Sequence, residues 1–106
     1  MSRIDALKGF LEDDPNDSFS RYALAMEYSK LGDGDEAIRQ FETVAGNDPD
    51  YVATYYQLAK ALERAGRTDD AAQTYRDGII VATRATDDHT REELTAALEL
   101  LTENEE

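Results

Sequence analysis

The chain contains no cysteine. Disulfides, thiolate metal sites and cysteine nucleophiles are therefore excluded. Tryptophan is absent too, and there are two prolines and one histidine. A single histidine cannot build a multi-histidine zinc or iron site. Lysine is confined to Lys8, Lys30 and Lys60. No apolar run approaches the roughly 20 residues that span a bilayer. The opening MSRIDALKGF lacks the apolar stretch of a signal peptide. These absences lead to the expectation of a soluble cytoplasmic protein without cofactor or metal.

Acid is what the chain has in excess: its formal net charge is −13. Nucleic acid and anionic lipid surfaces repel such a chain, so neither is an expected partner. Two readings of the acidity stay open. One is adaptation to a high-salt cytoplasm, where screening relieves self-repulsion. The other is an ordinary acidic protein. With 106 residues, 41% of them hydrophobic, the chain suffices for one domain with a modest core and is too apolar for general disorder.

The sequence matches itself at a shift of about 34 residues, a period known for helical repeats. Tyr22 falls on Tyr56, Leu24 on Leu58, Ala25 on Ala59, Gly32 on Gly66 and Ala37 on Ala71. The N-terminal stretch joins in, with Ile4 on Ile38, Leu7 on Phe41 and Pro15 on Pro49. Apolar spacing within each unit is helical, as in Leu24, Tyr28 and Leu31, in Ile38, Phe41 and Ala45, or in Tyr55, Leu58, Leu62 and Ala65. No window alternates in the manner of a strand. Gly32 and Gly66 suit the left-handed residue that ends a helix. Asp35 with Glu36, and Asp69 with Asp70, suit the positive end of the next one. Loss of a proline at Thr83 predicts a helix running to about 85. Thr90 and Glu93 have capping-box spacing and predict the start of a last helix carrying Leu94, Ala97, Leu98 and Leu101. The tail from Thr102 onward is expected to fray.

The acidic turn KLGDGDEAI, 30–38, raises the question of a calcium loop. Such a loop needs oxygens at its first, third and fifth positions, glycine at the sixth and glutamate at the twelfth. Counted from Asp33, the last three of these hold Ala37, Ile38 and Val44, and one period on Arg67 stands where Asp33 was. The turn reading wins.

These residues resemble the tetratricopeptide repeat family, whose pattern is Trp-x2-Leu-Gly-x2-Tyr, then Ala-x3-Phe, then Pro. The first copy here reads Arg21, Leu24, Ala25, Tyr28, Ala37, Phe41, Pro49. The second reads Tyr55, Leu58, Ala59, Leu62, Ala71, Tyr75, with Thr83 for the proline. The resemblance implies an all-α fold: a right-handed stack of antiparallel helix pairs, about six helices in one domain. It divides the chain into a half-repeat helix at 3–15, copies at 18–51 and 52–85, and a C-terminal capping helix at 88–103. Arg21, in place of the consensus aromatic, predicts looser packing of the first copy.

The resemblance also implies a concave groove that binds a peptide or partner protein, lined by the first helix of each pair. On this chain those positions are Phe19, Tyr22, Met26, Ser29 and Lys30, then Ala53, Tyr56, Gln57, Lys60, Glu63 and Arg64. Independently, helix 17–31 carries a second apolar stripe, Phe19, Tyr22 and Met26, opposite the first at about 100° per residue. Phe19 is expected to pack on a neighbouring helix, Tyr22 and Tyr56 to serve as interface anchors. Lys30, Lys60 and Arg64 are expected near one another, either attracting an acidic peptide segment or lying as solvated surface with Glu63 in partial compensation. Tyr22, Met26 and Gln57 stand where some family members clamp a terminal carboxylate with lysine and asparagine, so that clamp is not expected.

No nucleophile has a base beside it. Ser18, Ser20 and Ser29 are remote in sequence from His89, and His89 with Glu92 and Glu93 makes a poor metal set. The expectation is a non-enzymatic scaffold or adaptor, a monomer or weak homo-oligomer. The alternative is a structural module that self-associates through its terminal helices, Leu94, Leu98 and Leu101 completing a neighbour's core.

Overall fold

The structure is a computed structural model that describes residues 2–103. Among these residues it holds six helices and no strand: α1 Arg3–Asp13, α2 Ser18–Lys30, α3 Gly34–Asn47, α4 Ala53–Arg64, α5 Thr68–Arg84 and α6 Asp88–Glu103. Each helix packs on the next in chain order. The molecule measures 46 × 30 × 19 Å, and its thinnest dimension is about two helix diameters.

Alanine lets the helices approach. Ala25, Ala37, Ala59 and Ala71 have no exposed surface, and each sits where a larger side chain would push the paired helix away. Three apolar clusters follow along the stack. Leu7 of α1 packs with Ala23 and Leu24 of α2. The central cluster joins Ala25, Ile38, Phe41, Leu58 and Leu62. The last joins Tyr55, Tyr75, Val81, Leu94 and Ala97. Leu101 of α6 touches the central and last clusters. Leu94 is fully buried, and Leu98 and Leu101 pack half-buried against this chain's own core. Leu94 is therefore committed to this chain's own core, while Leu98 and Leu101 keep part of their surface open.

Two stripe positions are also corrected. Leu31 is 71% exposed and Ala65 is exposed. Both are C-caps, one step beyond the last turn that can face the core. Each is followed by a left-handed glycine, Gly32 at φ 81° and Gly66 at φ 77°. The next N–H then reaches back over the helix end, from Asp33 to the carbonyl of Tyr28 and from Arg67 to that of Leu62, the six-to-one bond of a glycine-ended helix.

The helix α5 ends in the same way at Arg84, with Asp87 N–H bonded to the carbonyl of Ala82. The left-handed residue there is Thr86, at φ 53°. Asp87 then caps α6, accepting from the Thr90 N–H at 3.1 Å and the Thr90 hydroxyl at 2.7 Å. The predicted capping box on Thr90 is thus displaced: Thr90 is a donor inside the first turn, and the aspartate three residues earlier is the cap. Thr102 and Glu103 of the tail belong to α6; the rest of it lies outside the described residues.

Candidate functional site

The helices α2 and α4 carry the residues singled out above. Tyr22 leans on the core, its ring 5.8 Å from Phe41 and 5.5 Å from Tyr51. Tyr56 repeats the arrangement, 6.4 Å from Tyr75. Both rings are half-buried, so each has one edge in the core and another toward solvent. Burial first, and Tyr51 second, raise the Tyr22 hydroxyl above the ordinary phenol value, while the Gln57 side chain acts in the opposite sense. Met26 packs half-buried against the central cluster.

Phe19 does not pack on a neighbouring helix as expected: it is 67% exposed. The residue lies in the first turn of α2, beyond the reach of the core that Tyr22 touches. Ala53, in the first turn of α4, is exposed as well.

The cations have acidic neighbours of their own. Lys30 pairs with Glu27 at 3.1 Å, one turn back on its own helix. Lys60 lies 3.6 Å from Glu63 and 5.6 Å from the centre of the Tyr56 ring. Arg64 and Ser29 line a depression of about 380 Å³ with Asp33 and Asp35. Lys30 and Lys60 thus each have a carboxylate within a turn on their own helix. Lys60, with Glu63 beside it, keeps a third of its side chain open.

Sequence reasoning missed two residues that shape this surface. Tyr51, in the turn before α4, lies tilted beside Tyr22, and its place in a loop hid it from helical periodicity. Tyr75 was legible as core, but its hydroxyl binds Glu63. Burial first, and that bond second, push the Tyr75 hydroxyl far above the usual phenol range. Among the described residues no three metal-ligating side chains converge. No described helix is long and apolar enough to cross a membrane.

The sequence profile described as tetratricopeptide repeat matches residues 22–89. A TPR repeat-containing protein of Pseudomonas aeruginosa is 28% identical over 98 residues, covering 92% of this chain and 93% of its own. A tetratricopeptide repeat domain protein from Salinibacter ruber, solved in solution, is 45% identical with a TM-score of 0.79, over 83% of this chain and 89% of that one. Two distant structures share the fold. PcrH, in complex with the chaperone binding region of PopD, is 16% identical with a TM-score of 0.90, over 97% of this chain and 78% of that one. The TPR2B domain of yeast Sti1, in a complex with pHsp70, is 18% identical with a TM-score of 0.88, over 95% and 81%.

Proposed function

This chain belongs to the tetratricopeptide repeat family, and we propose that it is a protein–protein interaction module whose inner groove holds a segment of a partner. The observation that carries the reading is the pair Tyr22 and Tyr56. They stand one period apart, each half-buried, each edge-on to a core aromatic. Such rings offer flat apolar surface at low entropic cost. Met26 and Gln57 continue the surface, and Lys60 adds a charge over Tyr56. Two structures that share the fold are complexes, one with the chaperone binding region of PopD and one with pHsp70, which supports the same use here.

The division into copies at 18–51 and 52–85, with a half-repeat before and a capping helix after, belongs to this reading. So do a cytoplasmic setting and a non-enzymatic role. The partner segment carries acidic groups, and Lys60 is the cation it meets. A pull-down and peptide screen with Tyr56→Ala and Lys60→Glu tests the groove. Loss of partners in either variant supports it; partners that bind both variants as tightly as the original remove it.

A further inference from the structure

The two copies differ at one set of positions that act together. In the second copy Tyr75, Glu63 and Lys60 form a line from core to surface. The Tyr75 hydroxyl donates to Glu63 Oε2, and the Lys60 ammonium lies 3.6 Å from that same oxygen. Lys60 in turn stands over the Tyr56 ring. One period earlier the corresponding residues are Phe41, Ser29 and Met26, with Tyr22 in the place of Tyr56. The phenol, the carboxylate and the ammonium are all missing there at once. Phe41 is 1% exposed and Tyr75 0%, and each meets its tyrosine edge-on. Filling the core therefore does not require the hydroxyl. A phenol inside a core must find an acceptor, and this one has taken a carboxylate that belongs to the groove.

We propose that Tyr75 is a positioning residue: from within the core it holds Glu63 and, through Glu63, keeps Lys60 displayed over Tyr56 for the partner's carboxylate. The proposal rests on the groove reading above. Glu63 Oε2 already accepts from the phenol, and the ammonium stays beyond hydrogen-bonding distance of it. Without the phenol, the carboxylate closes on Lys60 and neutralises it. The groove is then two unlike halves. Tyr22 and Met26 take an apolar side chain, and Tyr56 and Lys60 take an acidic one.

The test compares the full chain with Tyr75→Phe and with Tyr75→Phe/Glu63→Gln. Side-chain NMR of Lys60 in the free protein comes first. Tyr75→Phe, folded by circular dichroism, is expected to move the Lys60 Cε proton signals as the ammonium leaves the ring. The second readout is a fluorescein-labelled peptide of alternating leucine and glutamate, with a leucine–lysine twin as control. Tyr75→Phe weakens the acidic probe by about two- to fivefold, and the double variant, which has no charge at 63 to capture Lys60, restores it. Unmoved Lys60 signals, or a double variant no better than the single one, overturn the positioning role. An acidic probe that fails to bind the unmodified protein counts against the groove reading instead, and the Lys60 signals alone then decide the positioning claim.

Discussion

Tyr55 donates its phenolic O–H to the carbonyl oxygen of Pro49 at 2.6 Å. One period earlier, Arg21 reaches the carbonyl of Pro15 at 2.9 Å and the Gln40 side chain at 2.8 Å. The same tie between a first helix and the turn before it is thus made by two chemistries. Arg21 departs from the family aromatic, yet it spans from the turn to α3. Removing the phenol alone, with Tyr55→Phe, is expected to cost about 0.5–1.5 kcal/mol. Urea unfolding checks it, by a lower midpoint at unchanged slope. An unmoved midpoint would show that the tie contributes nothing.

Among the described glycines, Gly78 alone has other atoms within 4 Å of an added Cβ. A Cβ placed there would meet Tyr55 Cβ at 2.7 Å and Leu94 Cδ1 at 3.0 Å. Helix propensity favours Gly78→Ala by roughly 1 kcal/mol. Overpacking opposes it by about 1–3 kcal/mol, and the nearest atom is anchored to the α4 backbone. The clash wins, and the variant unfolds at a lower temperature, by about 4–8 °C per kcal/mol lost in a domain of this size. A stabilised Gly78→Ala would mean that α5 can shift outward freely.

Thr86 occupies a left-handed conformation at φ 53°, where a branched side chain costs about 1–2 kcal/mol. Its two counterparts at helix ends are Gly32 and Gly66. Thr86→Gly is therefore expected to stabilise the protein by roughly 1 kcal/mol, after the loss of the local bond from its hydroxyl to the Ala85 carbonyl. Guanidinium denaturation of the two proteins side by side measures it. A destabilised variant would show that the hydroxyl outweighs the strain.

Acid should loosen the helix starts. Asp17 accepts from the Ser20 hydroxyl at 2.7 Å and the Ser20 N–H at 3.2 Å; Asp87 does the same with Thr90. Those bonds, the hydroxyl one foremost, hold both carboxyls below the ordinary aspartate value. A depressed folded value gives stability that is present above the unfolded value of about 3.9 and lost as pH falls through the folded one. Thermal midpoints should drop as pH falls below about 4. Asp17→Asn and Asp87→Asn keep an acceptor oxygen but cannot titrate, so they should flatten that drop. Identical acid limbs in all three proteins would assign the loss elsewhere.

Salt should act in the opposite direction. With 24 acidic against 11 basic residues, repulsion outweighs attraction across the surface. Going from about 0.01 M to 1 M shortens the screening length from about 30 Å to 3 Å. The melting temperature is expected to rise across that range. A fall would show that ion pairs such as Arg67 with Asp70 matter more than net charge.

Much of this was open to reading from one dimension. Gly32, Gly66 and the buried alanines announce their roles because only a few residue types suit a left-handed turn or a tight helix crossing. Gly78 was passed over, since a glycine within a helix has no local signature; its reason is the Tyr55 side chain on another helix. The cap of α6 was misplaced because Asp87 and Thr90 are both good caps, and only the end of α5 decides between them. Phe19 and Tyr22 share one stripe on a helical wheel, yet Phe19, expected to pack on a neighbouring helix, is exposed, while Tyr22 leans on Phe41.

By itself, then, the order of residues determined a repeated helix pair, its turns and its apolar seams, because these depend on periodicity and on backbone conformations few residues tolerate. The tertiary structure alone decided which carboxylate meets which cation, which phenol reaches which acceptor and which helix face stays open. Those outcomes depend on distances of a few ångströms between helices, and an acidic chain offers several partners to every charge until the packing selects one.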